Sequence, residues 1–491
     1  MSVLTALARV EAVRAGRAQR IAAVRHCHLS TRPLMMIPLR MAGEAAAPVA
    51  IMIGTAADDA TLLIVPQPRD RILQLRFAAE LADVLLPHLE SYFDATETMG
   101  KEDDTWQRCL DAPQLWTPNP GGITLLRRLG RKLRFLRADS PTPAPDIVPL
   151  LGRWLTWFAD RAEHPGSDAL LAMTTVLSDH WVSGQSTLED GNLAALLGWI
   201  DPPAGLTGAQ AAARAEDPLI SPPAGPATDP GYDNEELAHL ITAYSDAEDE
   251  TAAELAYERL ERSLRGQLQP TWQLLWRGIE LLRSLPEGAS VPKRWEKNRG
   301  EFSRFAAGIA EGVPQARRDV AVTAVRRLLE REQALSALEA QRAYDDPMVM
   351  AERRLVGEAF RGVVIDADPT RLGGDGKRPM PRPLLRVRTD DLFNPDIDER
   401  LFSVDRRNQE GKVLAVEEGV IVLELSKDMG RKNTPAPGSV PEIGDEVCFA
   451  RFADEYQPPP KLPPREETPW THGGPPPVWE PTADDAREEW S

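Results

Sequence analysis

The order of apolar and polar positions divides the chain into segments of different periodicity. Residues 1–25 place apolar side chains at helical spacing with arginines between them, which predicts an amphipathic helix. Two short β-like runs follow at 49–53 and 62–65, separated by the turn-prone sequence GTAADD. A long helix is predicted from about Arg69. Residues 1–95 are therefore expected to form a small α+β unit, a β-hairpin packed on helices.

Helical spacing dominates the middle of the chain. Residues 96–200 read as short helices between Pro- and Gly-containing turns, which predicts a helical domain. Helical spacing returns over 234–354 and predicts a helical bundle or stalk. Residues 201–233 contain seven prolines and few large apolar side chains. Such a segment buries too little surface to offset its ordering entropy, so it predicts a linker between domains.

After Gly357 the apolar period changes from 3.6 to 2, which predicts short strands. Several strands within 355–453 favour a small closed β-barrel, because closure removes exposed strand edges. The sequence GSVPEIGDEVCFARF resembles the Gly-Asp turn and final strand common in OB- and SH3-type barrels. Residues 454–491 hold ten prolines and nine acids against three basic residues, which predicts an acidic, Pro-rich disordered tail. The predicted class is thus α+β, a mainly helical multi-domain body with an N-terminal β-hairpin unit and a small C-terminal barrel.

Composition narrows the classes of protein. The net charge of −18 argues against wholesale wrapping by nucleic acid, but screening over roughly 8–10 Å leaves room for a local basic groove. The three cysteines, Cys27, Cys109 and Cys448, are far apart and odd in number, so buried free thiols in a reducing compartment are expected. The sequence contains no run of 18 or more apolar residues, so no membrane-spanning helix is predicted. These features predict a cytoplasmic protein without a membrane partner.

The sequence contains no recognised linear motif for catalysis. The sequence GGDGKRP at 373–379 lacks the first glycine and the hydroxyl residue of a phosphate-binding loop. The cluster His26, Cys27 and His28 has no evident fourth ligand nearby, so neither a metal nor a cofactor is predicted. An enzyme site assembled from distant residues would leave no linear signature, and that alternative stays open.

The strongest local feature is the basic sequence RRLGRKLRFLR at 127–137, in which leucines form a narrow apolar stripe. Its cations are candidate contacts for phosphates or for an acidic partner: Arg127, Arg128, Arg131, Lys132, Arg134 and Arg137. The alternative is a surface helix paired with acids such as Asp103, Asp104 and Asp111. A weaker set lies in the predicted barrel, where a basic groove could bind single strands: Arg406, Arg407, Lys412, Arg431 and Lys432.

Three functional hypotheses follow. The leading one is a non-catalytic accessory or adaptor subunit of an intracellular assembly, with an unidentified protein partner and with nucleic acid as a candidate ligand. It depends on the missing catalytic motifs, the helical body with its linker, and the barrel followed by a docking-like tail. The second is a purely protein-binding scaffold. The third is an unrecognised hydrolase or nuclease.

Overall fold

The computed structural model describes residues 3–45, 47–101, 104–137, 143–317, 319, 321–373, 380–430 and 434–453. The helices are α1 (Val3–Ala15), α2 (Arg71–Glu90), α3 (Pro120–Leu133), α4 (Ile147–Arg161), α5 (Met173–Ser178), α6 (Leu193–Ile200), α7 (Gly208–Glu216), α8 (Pro230–Tyr232), α9 (Ala238–Ser245), α10 (Glu250–Arg283), α11 (Val291–Ala310), α12 (Ala321–Asp345) and α13 (Pro347–Leu355). The strands are β1 (Gln19–Arg20), β2 (Leu34–Arg40), β3 (Pro48–Ala56), β4 (Asp59–Ile64), β5 (Thr96–Lys101), β6 (Asp104–Cys109), β7 (Leu115–Thr117), β8 (Leu170–Ala172), β9 (Trp181–Val182), β10 (Ala359–Asp368), β11 (Leu372–Gly373), β12 (Met380–Pro381), β13 (Leu384–Arg388), β14 (Arg400–Ser403), β15 (Glu410–Glu417), β16 (Val420–Ser426) and β17 (Glu446–Ala450). The expected mixture of helix and strand is confirmed.

A five-stranded sheet of order β4-β3-β2-β7-β8 organises the N-terminal part. Strands β2, β3 and β4 are antiparallel, whereas β7 and β8 run parallel to their neighbours. Both faces are buried. Met35 and Ile37 of β2 pack in a core with α6 and α10, while Leu34 and Met36 pack in a second core with α2, α3 and α4. The sheet is therefore the middle layer between two sets of helices.

The first 200 residues contain more strands than the sequence predicted. The predicted hairpin is present as β3 and β4, but β2 extends it, and β7 and β8 join it from beyond residue 95. Residues 96–200, expected from the sequence to be a helical domain, contain the strands β5 to β9 besides the helices α3 to α6. Strand β2 was not predicted from the sequence because both of its faces are buried. Its first six residues, LMMIPL, form a continuous apolar run without the alternation of a half-exposed strand.

The segment 201–233 is more ordered than a plain linker. Residues 208–216 form α7, which begins with a capping box between Thr207 and Gln210. Ala211, Ala212 and Ala224 are buried. The core that contains α6 also receives residues of α7 and α10, so apolar contacts run across this segment. The domain boundaries drawn from the sequence stay predictions.

Helices over 234–354 are confirmed, and the longest of them is α10. Within the described residues, no helix is long and apolar enough to cross a membrane.

A six-stranded sheet, the C-terminal sheet, follows α13. Its pairings run β10-β13-β16-β15-β14-β17 and return to β10, so the ring of strands is closed. Phe360, Leu423 and Phe449 are fully buried in its interior. The predicted switch to strands after Gly357 is confirmed, and the likeness to OB- or SH3-type barrels stays a prediction. Residues 374–379, within the sequence GGDGKRP, and the predicted tail 454–491 lie outside the described residues.

Candidate anion-binding cleft

Helix α3 begins where the sequence has both of its start signals. The Asn119 side chain accepts a hydrogen bond from the Gly122 N–H, and Pro120 occupies the first turn. The predicted apolar stripe is buried, including Leu126, Leu129 and Leu133. The helix is shorter than predicted, because Arg134 and Arg137 follow its last residue, Leu133.

Two glycines bring α3 and α4 into close contact. A Cβ added to Gly130 would lie 2.8 Å from the backbone nitrogen of Thr156. A Cβ added to Gly152 would lie 2.3 Å from the backbone nitrogen of Arg134. Each helix thus requires glycine where the other backbone passes. This approach fixes the directions in which the basic side chains of α3 leave the helix.

Because of this packing, the six cations predicted from the sequence 127–137 do not share one surface. Arg127 forms a 2.7 Å ion pair with Glu163, which follows α4. Arg128 donates to the Ala45 carbonyl, and the Lys132 ammonium donates to the Gln74 side chain at 2.6 Å. Arg137 is exposed beyond the helix end.

Arg131 and Arg134 face a cleft of about 1090 Å³. We call it the arginine cleft. It is lined by eight arginines from α3 and its C-terminal end, α4, α11, α12 and the segment before α12: Arg131, Arg134, Arg153, Arg161, Arg304, Arg317, Arg327 and Arg331. Four carboxylates face them: Asp160, Glu163, Asp319 and Glu330. The lining therefore carries a cationic excess in a chain whose net charge is −18.

Half of these arginines are held by the protein itself. Arg327 pairs with Asp319 at 2.6 Å, and Arg331 pairs with Glu163 at 3.0 Å. Arg161 pairs with Glu301, and Arg153 donates to the Val313 carbonyl at 2.6 Å. These contacts join α4, α11 and the start of α12 around the cleft.

The other four form no ion pair with any carboxylate of the described chain. Arg134 and Arg317 both lie over the Phe135 ring, 4.6 and 4.9 Å from its centroid. Arg304 lies 4.7 Å from the Trp106 centroid. The Arg131 side chain makes no direct hydrogen bond within the described residues. Aromatic contacts orient a guanidinium without neutralising it, so these cations can still bind an anion.

Burial and nearby positive charges shift the pKa values of titratable groups in the cleft. Burial, together with the nearby Arg161, lowers the pKa of His164 to about 4. Burial also lowers the pKa of the Arg134 guanidinium. Burial raises the pKa of Asp160, although Arg131 and Arg127 oppose that shift. An anionic ligand would relieve the mutual repulsion of the arginines, since opposite charge stabilises the charged form.

Two aromatic side chains lie among the cations. Trp157 of α4 and Phe305 of α11 are half-buried in the cleft wall. Their rings stack at a centroid distance of 5.2 Å and an interplanar angle of 17°. A partly exposed aromatic pair beside guanidinium groups is suited to a planar base attached to a phosphate.

The structure also places the basic residues predicted in the C-terminal sheet. Arg407 pairs with Asp345 at 2.6 Å and donates to Ser290, so it contacts α12 and the start of α11. Lys412 pairs with Asp398 at 2.6 Å. Arg406 makes no side-chain hydrogen bond or ion pair with the described residues, and Arg431 and Lys432 lie outside them. None of the three described cations lines the arginine cleft.

The sequence hypothesis found only two of the eight lining arginines. The remaining six, from Arg153 to Arg331, are scattered over almost 180 positions and have no local pattern. The acids proposed as partners of the basic sequence differ as well. Asp111 accepts from the Trp295 indole, Asp103 lies outside the described residues, and Glu163 is the acid that pairs with Arg127.

The cluster His26, Cys27 and His28 is part of the interior. His26 lies 3.4 Å from Asp346, and the His28 ring stacks on Trp295. Among the described residues, no group of three or more His, Cys, Asp or Glu side chains is arranged to hold a metal ion.

Comparison with known proteins does not assign this chain to a family. No family model matches it, and neither do the curated proteins or the solved structures.

Proposed function

We propose that the protein is a non-catalytic accessory subunit that binds a single nucleic-acid strand in the arginine cleft. One observation supports this most strongly: eight arginines and four carboxylates surround a cleft whose wall also presents the stacked pair Trp157 and Phe305. Guanidinium groups bind phosphates, and aromatic rings stack with bases of any sequence. The proposed ligand is therefore a strand bound with little sequence preference.

The proposal of a binding role follows from the chemistry of the lining. Arginine remains protonated at physiological pH, so it stabilises charge and does not act as a general base. The proposal places the protein in the cytoplasm. Its support is that Cys27, Cys109 and Cys448 are all free and buried, as expected of thiols in a reducing compartment.

The test is binding of a fluorescein-labelled twelve-nucleotide oligo-dT strand, followed by anisotropy at salt concentrations from about 20 to 200 mM. Each phosphate contact on a single strand contributes roughly −0.7 to the slope of log affinity against log salt. We expect binding at low salt and a steep negative slope. A duplex of equal length should bind more weakly, because paired bases cannot stack on Trp157 and Phe305.

The informative variant is Arg131→Ala combined with Arg304→Ala, because neither side chain forms an ion pair within the described chain. It should weaken strand binding about tenfold at low salt and reduce the salt slope by about 1.4, which corresponds to two lost phosphate contacts. The matched control is Arg128→Ala, which removes a cation from the same helix but outside the cleft. Absence of binding at low salt, or equal affinities of the variant and the control, would contradict the proposal. Capture of poly-glutamate but not of the strand would favour an acidic protein partner.

A further inference from the structure

The chain contains its own candidate occupant for the arginine cleft. Residues 454–491 carry nine acids and three basic residues. Three tryptophans, Trp470, Trp479 and Trp490, lie between or beside the acids. Carboxylates and indoles are the two kinds of group that an arginine- and aromatic-lined wall binds, and they match what a nucleic-acid strand offers through phosphates and bases.

The described chain ends near one end of α12, a helix that also lines the arginine cleft, so residues 454–491 start within reach of the cleft. Phe452 is held at the C-terminal end of α12, where its carbonyl accepts from the Tyr344 hydroxyl at 2.9 Å. The N-terminal half of the same helix supplies Leu328 and Arg331 to the cleft. Sixteen residues of helix separate Tyr344 from Leu328, a distance of about 24 Å.

A proline-rich chain spans about 3.1 Å per residue when extended. Glu466 and Glu467, the second acidic pair after the described residues, can therefore lie about 40 Å from Ala453. That exceeds the length of about 24 Å along α12 from Tyr344 to Leu328, and the acids of 480–489 have still more length available. A tether of this size gives an effective concentration on the order of millimolar, so even a weak contact would be populated.

We infer that residues 454–491 occupy the arginine cleft when no strand is bound and that a nucleic-acid strand must displace them. This inference rests on the proposed function for the identity of the competitor, but the contact between the segment and the cleft does not require that nucleic acid be a ligand of the cleft. If the occupied form exceeds the open form about tenfold, the apparent strand affinity is lowered about tenfold.

The first experiment changes the segment in the full-length chain. The variant replaces three acidic pairs by amides: E466Q, E467Q, D484N, D485N, E488Q and E489Q. We expect it to bind the oligo-dT strand about tenfold more tightly at low salt. The matched control makes the same charge change at six exposed acids elsewhere: E235Q, D246N, E248Q, E250Q, E254Q and E258Q. Equal affinities of the two variants would reduce the effect to net charge and overturn the inference.

The second experiment detects the contact directly. Trp479 is replaced by benzoylphenylalanine in the full-length chain, and the cross-linked peptides formed under light are mapped by mass spectrometry. We expect cross-links to peptides that contain Trp157, Phe305 or Arg317, and loss of those cross-links when Arg131 and Arg304 are both replaced by alanine.

The two experiments separate the failure of each proposal. Cross-links confined to other surfaces, or formed only between chains, would overturn the inference even if the strand binds. Cross-links in the cleft without any strand binding would contradict the proposed function and leave an internal acidic ligand for the same site.

Discussion

His180 is 1 % exposed and follows α5. Its Nδ1 donates to the Val176 carbonyl at 2.7 Å, and its Nε2 accepts from the His26 backbone N–H at 3.1 Å. Both contacts together require the neutral ring, because a proton on Nε2 would face another donor. Burial lowers the pKa of His180, which is the direction that this geometry demands.

This histidine should make the fold less stable in acid. In the unfolded chain the ring takes up a proton near its ordinary pKa of 6.5, whereas the folded chain resists it. The unfolded state therefore binds more protons below that pH, and stability falls as the pH decreases through 6.5. We expect the contribution of His180 to the free energy of unfolding in urea to decrease by about 1.4 kcal/mol between pH 7.5 and pH 5.5, because only the pH unit below 6.5 counts and one unit is worth about 1.4 kcal/mol.

The contribution of His180 is isolated with His180→Gln, which should show a smaller loss between the two pH values than the unsubstituted protein. His239, exposed on α9, provides the matched variant His239→Gln, which should keep the full loss. An undiminished pH dependence in His180→Gln would show that other groups cause it.

At the scale of elements, the crossing of α3 and α4 positions the cleft. Gly152→Ala would place a Cβ 2.3 Å from the Arg134 backbone nitrogen, so one helix must shift. Forcing extra volume into packed backbone costs roughly 1–3 kcal/mol, and we expect a loss of this size in urea unfolding. Strand affinity should decrease as well, because Arg131 and Arg134 move with α3.

Gly266 of α10 is the control for this prediction. It is exposed, and apart from its chain neighbours and the backbone of its own helix no atom lies within 4 Å of an added Cβ. Alanine stabilises a helix interior by about 0.5–1 kcal/mol relative to glycine, so Gly266→Ala should be neutral or stabilising. Equal stabilities of the two variants would mean that the α3–α4 crossing relaxes without cost.

The elements that depend on neighbouring residues were predicted from the sequence, and those that depend on distant residues were not. The spacing of Leu126, Leu129 and Leu133 predicted a helix and its buried face, because helix formation is a local property. The strand pairing of β2 with β7 depends on residues about 80 positions apart. The cleft depends on arginines of several elements, each of which looks like an ordinary surface cation in the sequence. Local patterns therefore indicated the α3 side of the arginine cleft, but not the helices that form its other walls.

At the scale of the whole molecule, Asp345 links the C-terminal sheet to the helices. Its side chain is 1 % exposed and accepts from the backbone N–H and hydroxyl of Ser290 at 2.7 and 2.9 Å. Arg407 provides the remaining contact from the C-terminal sheet, and its guanidinium lies 5.7 Å from the Tyr344 ring. Arg407 therefore neutralises a buried carboxylate at this junction, although the sequence indicated it as a residue of a binding groove.

Arg407→Ala should lower the free energy of unfolding by about 1–3 kcal/mol, because it removes a charged hydrogen bond from a buried group. Amide hydrogen exchange should increase around Ser290 and Asp345, while oligo-dT affinity should stay within about twofold. The control is Arg406→Ala, the adjacent cation without such a contact, which should change neither property. If Arg407→Ala instead lost strand affinity at unchanged stability, the residue would contact the ligand, and the nucleic-acid surface would extend from the arginine cleft to the C-terminal sheet.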